Sequence, residues 1–267
     1  MKGLWRWLCE VFFLRNDLSD WKVSDAHVHY GRDGLTGLNM SSKKLQSYIK
    51  KHGLIDSLVF PFDQELEKTN NELVEILPRL EGAYGLVRYQ FINYMNNPKS
   101  FLDLLRKPKV LGAKLHPSFD RIPVSHPLFE PVFEALQKEH LIALIHSGRW
   151  QEVSHCSHAF QVAKRFPDLR VIVAHMGGNE LANTVEAVRL AKKHPNTYLE
   201  TSNCRLNLMI RKAVRTVGEN RVLFGTDVPW GSYFANLYTV LEAPINEEQK
   251  KTILFDNLHN LIATVTG

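Results

Sequence analysis

Apolar and polar positions along the chain follow two alternating rhythms. Compact apolar runs at Val23–His29, Ser57–Phe60, Ala83–Tyr89, Val110–His116, Leu141–His146, Arg170–His175, Thr197–Thr201 and Arg221–Thr226 read as buried strands. Between them, segments near Lys43–His52, Asn71–Leu80, Ser100–Arg106, Pro127–His140, His158–Phe166, Leu181–His194 and Leu206–Val217 carry helical periodicity. Glu247–Val265 reads as a closing helix. Strands that each lead into a crossover helix predict an α/β fold. Eight at this spacing fit a (β/α)8 TIM barrel better than an open doubly wound sheet, the main rival. The 267 residues are close to the ~250 of one such barrel. With no repeat and no linker rich in Pro, Gly or Ser, residues 1–267 are expected to form a single domain.

The exceptions to the apolar pattern carry the chemistry. A parallel strand covered on both faces should be apolar throughout. Here polar residues gather at the C-terminal ends: Asp25, His27 and His29 on the first strand, Lys114 and His116 on the fourth, and His146 on the fifth. His175 ends the sixth, Glu200 the seventh, and Asp227 follows the eighth. In a (β/α)8 barrel those ends converge on one mouth, where catalytic residues sit.

Residues 1–20 imitate a signal peptide, with Leu4, Trp5, Trp7, Leu8, Val11, Phe12 and Phe13. Arg6 and Glu10 interrupt the run, however, and no small-residue cleavage site follows. Leu4, Leu8, Val11, Arg15 and Leu18 fall at helical spacing, which predicts an N-terminal amphipathic helix. It could serve a homodimer as readily as pack on its own barrel. No later segment approaches the ~20 apolar residues of a transmembrane span. Cys9, Cys156 and Cys204 are odd in number and widely spaced, which argues for reduced thiols, a cytoplasmic protein and no cysteine-built zinc site. The net charge of +5 comes without a dense Lys/Arg block, so a nucleic-acid partner is not expected. A small anionic molecule suits it better.

On a strand, residues i and i+2 share a face, so His27 and His29 can grip one ion. A catalytic zinc takes three protein ligands and a water. His146 ends an apolar strand, and its imidazole must be satisfied by a ligand or by a neighbouring carbonyl. His175 precedes Gly177 and Gly178, which would let backbone approach a ligand. Asp227 could ligate a metal and accept a proton from water, or cap the next helix. His155, Cys156 and His158 could form a second metal site, although a polar loop is the simpler reading.

The segments DAHVHY, AKLHPSF, LIHSG, VAHMGG and LFGTDVPW, in that order over residues 25–230, resemble the amidohydrolase superfamily, and within it the amidohydrolase-2 branch of metal-dependent TIM-barrel hydrolases. The resemblance implies one divalent metal, Zn2+ or alternatively Mn2+, held by His27, His29, His146 and Asp227. His175 would stay off the metal and polarise substrate or water, with Asp227 taking the proton of a metal-activated water. Lys114 and His116 match a KLHP strand end. A carbamylated Lys114 bridging two metals belongs to other branches, so Lys114 is expected to donate a hydrogen bond or bind substrate charge. Glu200 departs from the pattern, which often has aspartate there, and no role is carried over to it.

Cationic and aromatic residues just beyond strand ends, Arg88, His116, Arg149, Trp150, Arg205 and Trp230, suit a small anionic substrate, since arginine binds carboxylate or phosphate bidentately. The primary expectation is hydrolysis of an amide, lactone or ester. Decarboxylation of an aromatic acid uses similar ligands and stays open, as does a metal-free barrel acting as a binding or scaffold protein. A TatD-type nuclease usually carries a glutamate where Lys114–His116 stand, and the lysine argues against it.

Overall fold

The computed structural model describes residues 20–148 and 151–267. The expected N-terminal helix lies outside them. Among the described residues nine strands form one sheet: β1 (Val23–Arg32), β2 (Asn39–Met40), β3 (Leu54–Pro61), β4 (Ala83–Tyr89), β5 (Val110–Leu115), β6 (Ile142–Ile145), β7 (Arg170–Val173), β8 (Thr197–Glu200) and β9 (Val222–Leu223). Their order is β2-β1-β3-β4-β5-β6-β7-β8-β9, parallel throughout except for the short β1–β2 pair. The fold is α/β, with a curled, mostly parallel sheet. Three backbone hydrogen bonds link β1 to the segment after β9: Ala26 N–H to Phe224 O, Asp227 N–H to His27 O and His29 N–H to Val228 O, each 2.9 Å. They bring the two edges of the curl together and seat Asp227 beside the β1 histidines.

The apolar strands are covered on both faces, as their composition requires. Leu58, Phe60, Leu86, Ile142, Leu144 and Ile172 pack inside the curl, where Leu258, Leu261 and Ile262 of the last helix join them. Val59, Val87, Ala143, Ile145 and Val173 pack outward against the helices. In β1 this alternation is reset. Asp25 pairs with Ser57 but Val28 with Val59, so one extra residue bulges between them. Beyond the bulge Val28 and Tyr30 join the outer core, which leaves His27 and His29 together on the other face.

Helices Ser42–His52, Leu66–Ile76, Pro98–Leu105, Glu130–Lys138, Cys156–Arg165, Leu181–Ala191 and Asn207–Val217 fall in or near the periodic segments. Helix Tyr233–Leu241 was not expected. Its sequence, YFANLYTVL, is apolar on nearly every side, so no face stands out; the Ser232 side chain caps it by accepting from Ala235 N–H. The strand expected at Arg221–Thr226 narrows to Val222–Leu223 because Glu219–Arg221 form a 3-10 turn. The closing helix is broken into Glu247–Lys251, a π turn at Thr252–Asp256, and Asn257–Thr266. The carbonyl of Ile253, inside that turn, accepts from Phe224 N–H at 3.1 Å and so ties the break to the sheet. No helix among the described residues is long and apolar enough to cross a membrane.

Candidate active site

The strand ends deliver a dense cluster of imidazoles and carboxylates. His27 and His29 come from β1, His116 and His146 from the residues just past β5 and β6, His175 from a turn after β7, Glu200 from the last residue of β8, and Asp227 from beyond β9. Three of these residues, His27, His175 and Asp227, offer ligand atoms all within 4.8 Å of one another. His29 Nε2 lies 2.9 Å and His27 Nε2 3.2 Å from the same Asp227 oxygen. His146 Nδ1 is 3.1 Å from His175 Nε2. Ligand atoms bound tetrahedrally to zinc at 2.0–2.1 Å stand about 3.3 Å apart, so these spacings and this N/O donor set fit a small divalent ion. Against the expected set, the structure puts His175 in the tight cluster and reaches His146 only through it.

The backbone is bent to achieve this. His175, Met176 and Asp227 have φ of 57°, 48° and 60°, and Asn203, which donates to Asp227 Oδ2 at 2.6 Å, has 57°. Left-handed backbone in non-glycine residues costs on the order of 1 kcal/mol or more each, and such residues cluster at functional sites. Hydrogen bonds offset it: His175 N–H donates to Glu200 and Gly231 N–H to the Asp227 carbonyl. Gly177 and Gly178 have a different task from close approach to a ligand. A Cβ at 177 would strike Ala187, and one at 178 would crowd Gly148, so both serve packing.

Burial sets the charge states. It is the largest cause for His29, His116, His146 and His175, pushing all four below the ordinary imidazole pKa, to about 4 for His29 and His175. For His27, burial and Lys114 push down, but Glu200 and Asp227 outweigh them and the shift is upward. For Asp227, burial is opposed by His27 and His29, which hold it well below the carboxylate range. Burial lowers Lys114 to about 7 against the pull of Asp227 and Glu200.

These shifts predict acid lability of the metal-free protein. A histidine with a depressed folded pKa stabilises the fold above its unfolded value of 6.5, and that contribution is lost as pH falls toward 4. Burial raises Asp25 and Asp120 to about 6, and they act oppositely: their contribution is present below 3.8 and lost as pH rises through 6. His27, raised, acts only above 6.5. Between pH 6 and 4.5 the imidazoles with a lowered pKa outnumber the two raised carboxyls, so unfolding takes up protons on balance and stability should fall as the pH falls. Urea unfolding in the presence of chelator at pH 7.5, 6 and 4.5 measures this, and a flat profile contradicts it.

Above the cluster opens a cavity of about 470 Å³, lined among others by His29, Arg88, His116, His146, His175, Asp227 and Trp230. Arg88 is buried against Phe119, with Nε and Nη2 unpartnered. Its backbone is clamped by Asn70, which accepts from its N–H and donates to its carbonyl, both at 2.9 Å. His116 stacks on His146 at 3.7 Å. Lys114 is not in the lining: it lies beneath, its ammonium 3.5 Å from His27 Nε2 and over the Phe60 ring. Arg205 is exposed and is not brought to the cavity, because its neighbour Cys204 is the buried member of that turn. Arg149 and Trp150 lie outside the described residues. His155 caps a helix and His158 bonds Ser125, so the two are spent on local structure. Sequence reading gave no role to Glu200, Ser202, Asn203 or Phe62; their only signal was a polar residue at or just past a strand end, or an aromatic one.

The amidohydrolase family model matches residues 71–257. The chain belongs to the amidohydrolase family. The match begins after β1, so His27 and His29 of this family member are tied to the rest by geometry. Similar solved structures share the fold at low identity. The 5-carboxyvanillate decarboxylase of Sphingomonas paucimobilis is 12% identical with a TM-score of 0.68, covering 91% of this chain and 99% of its own. A 2,6-dihydroxybenzoate decarboxylase from Rhizobium gives 13% and 0.71, over 91% and 99%. A dihydroxybenzoic acid decarboxylase from a Polaromonas species, with bound manganese and the inhibitor 2-nitroresorcinol, gives 14% and 0.69, over 91% and 97%. No curated protein matches the chain in sequence.

Proposed function

We propose that this chain is a metal-dependent hydrolase acting on an ester, lactone or amide of a small anionic molecule. The observation that carries the reading is the setting of Asp227 in the cavity wall: one carboxylate oxygen meets His27 and His29, and the other is held by Asn203, which places a proton acceptor beside the cluster. Hydrolysis needs an acceptor for a proton of water. Protonating a carbon after loss of carbon dioxide needs a donor.

His27, His29, His175 and Asp227 would hold the divalent ion, with His146 joining through a small movement of its ring. When bound, the ion acidifies a water and polarises the bond under attack. Asp227 and Asn203 orient the water's proton: Asp227 accepts it and Asn203 fixes the carboxylate by its bond to Oδ2. Arg88 binds the anionic end of the substrate through its two unpartnered nitrogens. His116 and Trp230 wall the cavity, and Trp230, half exposed, stands at its rim.

Decarboxylation of an aromatic acid is the second reading. The aromatic surfaces of Phe62, Phe119 and Trp230 favour a flat substrate, and three proteins of the same fold carry that activity in their names. Incubation of the zinc- or manganese-loaded protein with panels of lactones, aryl esters and amides of small acids, and of hydroxybenzoates, separates the two. Incorporation of 18O from water supports hydrolysis; release of carbon dioxide without it replaces that reading with the second.

A further inference from the structure

We propose that Glu200 is a positioning residue that sets the tautomers of two imidazoles, His27 directly and His175 through Ser202. The inference rests on the metal reading above and deepens it.

Glu200 is fully buried, as is Ser202. Its Oε2 lies 2.8 Å from His27 Nδ1, 2.8 Å from Ser202 Oγ and 3.2 Å from the His175 backbone N–H, and Ser202 N–H donates to Oε1. Two backbone donors on one carboxylate fix it as the acceptor in this network. The His27 proton therefore sits on Nδ1. Ser202 has a single hydroxyl proton, which goes to Glu200, so its oxygen is left to accept from His175 Nδ1, 2.7 Å away. The His175 proton thus also sits on Nδ1. Where each ring carries a single proton, both Nε2 atoms are then left free, the form in which an imidazole binds a cation.

The backbone is adapted to this carboxylate. Gly225 passes so close that a Cβ there would collide with Glu200 Oε1 and press on His27. One side chain at the end of β8 in this way orders a histidine of β1 and another in the turn after β7.

The test uses Zn2+ alone as the probe, with chelator competition for affinity, and 15N-histidine NMR of the metal-free full chain, at a pH where both rings carry one proton, for the protonated nitrogen. Wild type should show Nδ1–H for both His27 and His175. Glu200→Gln should weaken Zn2+ binding about 10- to 100-fold and disturb both rings. Glu200→Asp should recover part of the affinity. Ser202→Ala should change the His175 signal and leave that of His27 in place, and it serves as the deciding variant should Glu200→Gln fail to fold. Nδ1–H retained on His175 in Ser202→Ala, or Zn2+ affinity within about twofold of wild type in Glu200→Gln, overturns the assignment. A wild-type protein that binds no Zn2+ sinks the metal reading itself, and this inference with it.

Discussion

Asp227→Asn is expected to yield a protein with little bound metal and a kcat/KM reduced by about 10³-fold or more, a loss of roughly 4 kcal/mol in transition-state stabilisation. One Asp227 oxygen is the meeting point of His27 Nε2 and His29 Nε2, and the other is fixed by Asn203. An amide of the same shape keeps the packing but brings no negative charge to balance a divalent ion, and it cannot accept a proton from water. Elemental analysis beside wild type, His146→Ala and His175→Ala checks this. Wild type should carry about one equivalent. Full metal content in Asp227→Asn would remove it from the ligand set. The two histidine variants decide which imidazole completes the set: the tight cluster favours a larger loss for His175→Ala.

Arg88→Met should raise KM for anionic substrates about 100-fold, with a much smaller change in kcat, and should raise rather than lower the melting temperature. Two charge-assisted hydrogen bonds to a carboxylate contribute roughly 3 kcal/mol, which sets the expected KM effect. The stability gain follows from the burial of the charge. Arg88 is 2% exposed, and burial depresses its pKa against the opposing pull of Asp120, Asp63 and Asp33. Two of its nitrogens have no partner. Replacing a buried, underpaired charge by an apolar side chain of similar length is often stabilising; about 1 kcal/mol corresponds to 2–4 °C in a chain of this size. Loss of affinity together with a higher melting temperature marks Arg88 as a group kept for its ligand. A fall in both would mark it as structural.

The candidate site was legible wherever a polar residue broke an apolar strand. His27, His29, His146, His175 and Asp227 were read from that signal and do meet around one mouth, since parallel strands all end on the same side of the sheet. Lys114 carried the same signal, yet its ammonium lies beneath the cavity beside His27. Arg205 showed a weaker signal, a cation in a loop, and it stays at the surface. A loop residue's direction depends on which of its neighbours is buried, and that is not written in its own identity.

The sequence by itself determined the alternation of strand and helix, the α/β class and the types of ligand, because burial on both faces of a parallel strand enforces a local pattern. Tertiary structure decided the rest. The bulge in β1 depends on its pairing with β3, the turn at His175 on Glu200 and Ser202, and the meetings of Glu200 with His27 and of Asp227 with His29 on partners 173 and 198 residues away in the chain. Glu200 shows why most plainly. As a single carboxylate at a strand end it carries no pattern, and its role exists only because Gly225 leaves the space and two histidines and a serine supply the donors.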